Sequence, residues 1–131
     1  AGFASTYRLT KPVVESIFSE LIAHLEAAGV DAIVLEIADG LLQKETAGLL
    51  ESSVFRDLSD GIIFAAGDSM GAVAGSEWLK ARDLPLRAVA GRITCAPLQV
   101  REASECGVPI LGLSDLADPA TAAKLLNESQ S

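Results

Sequence analysis

Polar side chains that can bind a metal ion or a ligand follow four apolar segments of the sequence, each at the point where a predicted strand ends. In chain order they are Glu36 and Asp39, Asp68 and Ser69, Thr94 and Cys95, and Ser114 and Asp115. In an open parallel sheet, ligands bind beyond the carboxyl ends of the strands, so these side chains are expected at one edge. A Mg²⁺ ion bound to nucleotide phosphates needs one or two protein carboxylates, which the acidic members of this set can supply.

Glu36 is the first candidate for the metal ligand, and Asp39 is expected beside it. Glu36 interrupts the apolar run at residues 32–37, and a charged residue in a buried strand needs a partner or a function. Asp39 and Asp68 each adjoin a glycine, so turn formation is an alternative explanation for both. For Asp68 the two explanations are equally well supported.

A glycine-containing loop, Gly67-Asp68-Ser69-Met70-Gly71, precedes a predicted helix. Backbone N–H groups at the start of a helix can bind an anion, which makes Asp68, Ser69 and Gly71 candidates for contacts with a bound cofactor. Close packing of a helix rich in small residues against a sheet is the simpler explanation of the same glycines. The phosphate-binding consensus GxxxxGK[ST] does not occur in the chain.

The elements that would position these residues alternate between strands and helices. Apolar, β-branched segments predict strands at residues 32–37, 61–66, 86–90 and 108–111. An amphipathic helix over residues 10–29 precedes them, and helical segments separate and follow them. This alternation predicts parallel strands joined by crossovers. We therefore expect an α/β fold with three layers, in which a mainly parallel, Rossmann-like sheet has helices on both faces.

The composition predicts a single globular domain over residues 1–131 and excludes several kinds of partner. The chain of 131 residues has 10 Lys+Arg against 18 Asp+Glu, a net charge of −8. That balance argues against binding to nucleic acid. No run of uncharged residues approaches the roughly 18 that a membrane helix needs, so no membrane association is expected.

The termini and the cysteines add two expectations. The only methionine is Met70, and the missing initiator methionine predicts a processed product or part of a longer protein. The two cysteines have no CxxC spacing and accompany one histidine, which argues against a zinc site. An acidic chain with no recognisable signal peptide predicts free thiols and a cytoplasmic location.

The order of these motifs resembles the second half of the P-loop NTPase-like domain of dethiobiotin synthetase. The resemblance covers about residues 29–113 and rests on four segments that occur in the same order. They are Glu36-Ile37-Ala38-Asp39-Gly40, the apolar strand that ends at Gly67, Leu84-Pro85-Leu86 before a strand that ends near Gly91, and Gly107-Val108-Pro109-Ile110-Leu111-Gly112. Cobyrinic acid a,c-diamide synthase and the dethiobiotin-synthetase-like domain of some phosphotransacetylases are similar.

The resemblance implies Mg²⁺ and ATP as cofactors and assigns roles to individual residues. Glu36 matches the family's strand-end glutamate, which helps to bind Mg²⁺ with ATP. In an enzyme of this type, Asp39 and Asp68 would support the metal that Glu36 holds. Lys44 or Glu45, on the helix that follows, would face the substrate as catalytic residues. Thr94 lies in Gly91-Arg92-Ile93-Thr94, where the family has an adenine-reading asparagine, so that role does not carry over. Ile37 and Asp39 replace two glycines of the family's loop.

Two functions from different classes follow. In the first, the chain is the C-terminal part of an ATP- and Mg²⁺-dependent enzyme that acts on a small acid, and the 131 residues alone are inactive because the phosphate-binding loop lies upstream. In the second, it is a non-catalytic Rossmann-like regulatory or assembly module. The partner expected in either case is a small-molecule ligand, and an Ala-rich surface, with family sites at a dimer interface, is compatible with a homodimer.

Overall fold

The computed structural model describes residues 5–127, and the chain divides into two compact units whose boundary in the sequence lies between Leu58 and Ser59. The first unit contains three helices. They are α1 (Lys11–Glu26), α2 (Lys44–Leu50) and α3 (Ser53–Leu58). The second unit contains two strands and four α-helices. They are β1 (Ile62–Ala65), α4 (Ser69–Lys80), β2 (Leu86–Ala90), α5 (Pro97–Glu102), α6 (Leu113–Leu116) and α7 (Pro119–Asn127), with 3-10 helices at Arg92–Cys95 and Ala103–Cys106.

The first unit is held together by the apolar stripe of α1. Val14, Phe18 and Ile22 recur every four residues and are buried, because side chains four positions apart share one face of a helix. The rings of Phe18 and Phe55 of α3 lie 5.6 Å apart with an angle of 46° between their planes. Burying an aromatic or aliphatic side chain of this size stabilises a fold by about 2 kcal/mol.

The second unit is built around two short parallel strands. β1 pairs with β2 in parallel register, with Phe64 opposite Val89, and α4 connects the two strands. The buried core combines the strand ends with the helices that follow them. It consists of Ala66, Ala72, Val89, Ile93, Ala103 and Cys106, with Phe64, Val73, Val108 and Ile110 packed against it.

Gly75 of α4 allows that helix to lie close to the sheet. A Cβ atom at this position would stand 2.2 Å from Cε1 of Phe64. Gly75 therefore serves close packing against β1, whereas a Cβ atom at Gly71 would meet only Asp68 and one at Gly67 would meet nothing within 4 Å.

The expected three-layer fold with a mainly parallel sheet is wrong. In the part of the chain that the structure describes, only two short strands pair, and helices dominate. The segment at 108–111 makes a single parallel bridge between Val89 and Ile110. Residues 32–37 form neither a strand nor a helix in the described part of the chain, and Val34 among them is 93% exposed. A β-strand exists only through backbone hydrogen bonds to a neighbour, so an apolar pattern alone does not make one.

The helices agree with the sequence more closely than the strands do. The first helix ends at Glu26 rather than Gly29, and Thr10 precedes it without a side-chain capping bond. The segment predicted as one helix from Pro97 divides into α5 and a 3-10 helix. Within residues 5–127, none of the helices is long and apolar enough to cross a membrane.

Candidate functional site

Asp68 ends the loop between β1 and α4 and caps the helix. Its backbone is extended, with φ −152° and ψ 173°, and its Oδ1 accepts a hydrogen bond of 2.7 Å from the backbone N–H of Gly71. Aspartate is favoured at this position because its carboxylate satisfies a backbone donor that the helix leaves unpaired. The negative charge also lies at the positive end of the helix dipole. Asp68 therefore has a structural role as the N-cap of α4, and its contact with a cofactor stays a prediction.

Ser69 brings a second carboxylate to the same loop. Its Oγ donates a hydrogen bond of 2.6 Å to Oε2 of Glu102, the last residue of α5. Glu102 is exposed, and Ser69 is half-buried. Sequence reasoning missed Glu102 because it lies 33 residues away along the chain, and no local pattern relates it to the loop.

The end of β2 approaches the end of β1 at a glycine. Gly91 has φ +99°, and a Cβ atom there would stand 2.7 Å from the backbone oxygen of Ala66. Only glycine adopts this conformation readily, and only glycine leaves room for the neighbouring backbone. Thr94, in the 3-10 helix that follows, donates its hydroxyl to the backbone oxygen of Gly91 at 2.9 Å. Its hydroxyl thus stabilises the turn.

The loop of Glu36 and Asp39 lies in the first unit and leads into α2. Both carboxylates are exposed, and Asp39 adopts a left-handed conformation with φ 69°, which aspartate tolerates better than most residues. The backbone of the loop accepts one hydrogen bond from α2 and one from the residue that caps it. The hydroxyl of Thr46 donates to the oxygen of Ala38 at 3.4 Å, and the N–H of Gln43 donates to the oxygen of Gly40 at 3.0 Å.

Lys44 and Glu45 begin α2 and have different surroundings. The Lys44 side chain is exposed, whereas Glu45 is half-buried. One carboxylate oxygen of Glu45 accepts from the backbone N–H of Arg8, and the other accepts from Nε2 of Gln43. Gln43 in turn caps α2 by accepting from the N–H of Thr46 at 2.9 Å. Glu45 thus fixes the segment before α1 and the capping residue of α2.

The eight predicted site residues divide between the two units. Those of the first unit are Glu36, Asp39, Lys44 and Glu45, and those of the second unit are Asp68, Ser69, Gly71 and Thr94. Asp115, also expected near a ligand, accepts the N–H of Gly112 at 2.8 Å and caps α6. Across residues 5–127, no group of three or more His, Cys, Asp or Glu side chains is arranged to hold a metal ion.

A Mg²⁺ ion bound to nucleotide phosphates requires fewer protein ligands than such a group would provide. One or two carboxylates are enough when water and phosphate oxygens complete the octahedron. Glu36 and Asp39 are exposed and lie three residues apart on one loop, so their chemistry fits this requirement. Their binding of Mg²⁺ and ATP stays a prediction.

Comparisons with known proteins found no match to any family model, curated protein or solved structure.

Proposed function

We propose that this chain is part of a nucleotide-dependent enzyme that uses ATP and Mg²⁺, acts on a small acid and resembles dethiobiotin synthetase. The observation that supports the proposal is the loop at residues 36–40. It presents the carboxylates of Glu36 and Asp39 to solvent. Its backbone accepts hydrogen bonds from the Thr46 hydroxyl of α2 and from the N–H of Gln43, which caps α2. A loop with a fixed backbone can hold its carboxylates ready to bind a cation at a lower cost in conformational entropy.

In this proposal, Glu36 holds the metal and Asp39 supports it. The two carboxylates would hold a Mg²⁺ ion, which would supply charge neutralisation for phosphoryl transfer. The phosphate-binding loop would come from residues outside these 131, so the chain by itself would bind nucleotide weakly and would not hydrolyse it.

Lys44 is the better candidate for contact with an acidic substrate. Its ammonium group is exposed at the start of α2 and can pair with a carboxylate. Glu45 already accepts two hydrogen bonds that organise the loop and the helix, which favours a positioning role for it.

The free thiols of Cys95 and Cys106 support a cytoplasmic location, where thiols stay reduced.

The test is Mg²⁺-ATP binding by the full-length protein that contains this chain. Glu36→Gln is expected to weaken binding by about tenfold, or about 1.4 kcal/mol, because it removes a charged metal ligand. The matched control is Glu20→Gln, which removes an exposed carboxylate from α1. At a nucleotide concentration about 100 times Kd, the wild-type protein is expected to gain roughly 2.7 kcal/mol of stability.

Two results would refute this proposal. One is a coding sequence upstream of Ala1 that has no GxxxxGK[ST] motif, since the phosphate-binding loop would then have no source. The other is equal Mg²⁺-ATP affinity in the Glu36→Gln and Glu20→Gln proteins.

A second candidate, a non-catalytic regulatory or assembly module, is favoured by the second unit. There the helix start that could receive a phosphate is capped by the carboxylate of Asp68, and the Ser69 hydroxyl donates to Glu102. These contacts use the polar groups of the loop within the protein. This function predicts that saturating ATP and Mg²⁺ leave the stability of the full-length protein unchanged.

A further inference from the structure

Residues 31–39 have nearly the same sequence in both directions around Leu35. They are Asp31-Ala32-Ile33-Val34-Leu35-Glu36-Ile37-Ala38-Asp39. The one departure from this symmetry is that Val34 corresponds to Glu36. A two-fold interface uses the same surface of both copies of a chain. Two antiparallel copies of this segment, with the axis through Leu35, therefore place like residues opposite each other everywhere except at that departure.

The backbone of the segment is available for such pairing. The N–H and C=O groups of residues 32–37 form no backbone hydrogen bond within the described part of the chain. Burial alternates along the segment, since Ile33, Leu35 and Ile37 are half-buried whereas Val34 and Glu36 are exposed. This period of two is the one that side chains have along a β-strand. A row of unpaired N–H and C=O groups in a β-prone sequence is a template for pairing with another chain.

The charge of Glu36 selects one arrangement of the two copies. Parallel copies in register, or an antiparallel pair centred on Glu36, would bring the two Glu36 carboxylates directly opposite each other. Like charges in that position destabilise a pair of strands. An antiparallel pair centred on Leu35 avoids this repulsion, because each Glu36 then lies opposite Val34 of the other copy.

We propose that two copies of this chain associate through residues 32–38, which pair as antiparallel strands about a two-fold axis through Leu35. The paired segment ends before Asp39, because the φ of 69° at that residue departs from strand conformation. In the pair, Ile33 of one copy lies opposite Ile37 of the other, so the apolar face is continuous. This proposal does not depend on the proposed function, because the association requires neither nucleotide nor metal.

The test changes the charge at Val34 in the 131-residue chain, and sedimentation equilibrium measures the dissociation constant of the dimer. Val34→Glu places a carboxylate opposite each Glu36 and is expected to weaken association by about tenfold. Val34→Lys places an ammonium group opposite the same carboxylate and is expected to strengthen association by about threefold. The double variant Val34→Glu, Glu36→Lys restores opposite charges and is expected to associate within about threefold of wild type. A salt concentration of about 0.15 M screens the repulsion between two chains of net charge −8.

The matched controls are Leu42→Glu and Leu42→Lys. Leu42 is 88% exposed and Val34 is 93% exposed, and both lie in the first unit. The controls therefore change the net charge by the same amounts at an exposed apolar position outside the paired segment. They are expected to keep the dissociation constant of the wild-type chain. Hydrogen exchange locates the contact, since amides within residues 32–38 should exchange more slowly as the chain concentration rises.

A wild-type chain that stays monomeric up to about 1 mM would overturn the proposal. Equal weakening by Val34→Glu and Val34→Lys would overturn it as well, because the response would not depend on the sign of the charge opposite Glu36. Equal responses to the changes at Val34 and Leu42 would mean that another surface joins the copies. Should Val34→Glu not fold, Val34→Lys and Leu42→Lys decide the question, and failure of Val34→Lys to strengthen association contradicts the pairing.

Discussion

Two segments of this chain have the same sequence pattern, an apolar run followed by an acidic loop and a helix, but only one of them forms a strand. Residues 32–37 precede Asp39 and α2, and β1 precedes Asp68 and α4. β1 pairs with β2, whereas residues 32–37 form no strand in the described part of the chain. The comparison shows that the pattern marks a segment able to form a strand, and that a neighbouring strand decides whether it does.

The acidic residues that follow the two segments differ in the same way. Asp68 has a helix to cap directly after it, and so its carboxylate accepts a backbone hydrogen bond. α2 is capped by Gln43 instead, and Asp39 lies four residues before that cap. Both aspartates are exposed; whether an aspartate after an apolar segment caps a helix depends on how many residues separate it from that helix.

Among single substitutions that test this comparison, Gly91→Ala is expected to lower the free energy of unfolding most. Gly91 follows β2 at the point where its backbone lies against the backbone of Ala66, just after β1. Gly91→Ala introduces a side chain at φ +99° and a Cβ atom 2.7 Å from the Ala66 oxygen. We expect a loss of about 3 kcal/mol in the free energy of unfolding. Urea unfolding followed by the fluorescence of Trp78, the only tryptophan and a residue of α4, measures it.

Gly40→Ala is the control for that change, because it has open space around the added methyl group and lies in the loop after the unpaired segment. It should leave stability within about 0.5 kcal/mol of wild type. Equal losses at the two glycines would mean that the end of β2 is no more tightly packed than the loop at residues 36–40.

An intermediate effect on stability is expected when one valine side chain in each apolar segment is replaced by alanine. Val89 is fully buried in β2, and Val34 is 93% exposed. Val89→Ala should cost about 2 kcal/mol because it leaves a cavity, whereas Val34→Ala should change stability by less than about 0.5 kcal/mol. Hydrogen exchange provides a second measurement, since the Val89 amide donates to Pro109 at 2.9 Å and should exchange slowly. A large loss from Val34→Ala would show that residues 32–37 are paired after all.

The smallest expected effect is on the pKa of Asp118, whose carboxylate accepts hydrogen bonds at the start of α7. Hydrogen bonds from the backbone N–H and then the hydroxyl of Thr121 lower the pKa of Asp118 below its usual value of 3.8. Because its pKa is lower in the folded state, the ionised carboxylate of Asp118 stabilises the fold. That contribution is complete above the unfolded-state pKa and is lost as the pH falls through the folded-state pKa. NMR titration of the carboxyl group measures the shift, and Asp118→Asn should remove the pH dependence at the start of α7. A pKa at or above 3.8 would contradict the capping contact.

The helices could be predicted because their information is local. The stripe of Val14, Phe18 and Ile22 predicts α1 to within three residues of its observed end, since all hydrogen bonds of a helix lie within a few positions along the chain. The strands at 62–65 and 86–90 were also expected. The four-stranded sheet that the sequence predicts does not form, because the pairing of strands depends on contacts between residues far apart in the sequence.

The candidate site was predicted in its residue types but not in its organisation. Glu36 is exposed and lies outside any strand, so the argument from a charged residue in a buried strand was wrong, and the metal-binding role of Glu36 and Asp39 stays a prediction. The fixed positions of Glu45 and Thr94 depend on contacts with Arg8 and Gly91. Glu102 could not be found at all, because its contact with Ser69 arises only when α5 has folded beside the start of α4.

The sequence by itself determined the positions of most helices, the two segments that pair as β1 and β2, and the acidic loops that follow apolar runs. These features depend on side-chain periodicity and on residues with strong turn or cap preferences. Only the tertiary structure decided that residues 32–37 stay unpaired and that Asp68 and Glu102 converge on one helix start. Both outcomes depend on which distant groups become neighbours, and a backbone or carboxylate acquires its role from the hydrogen-bond partner that it meets.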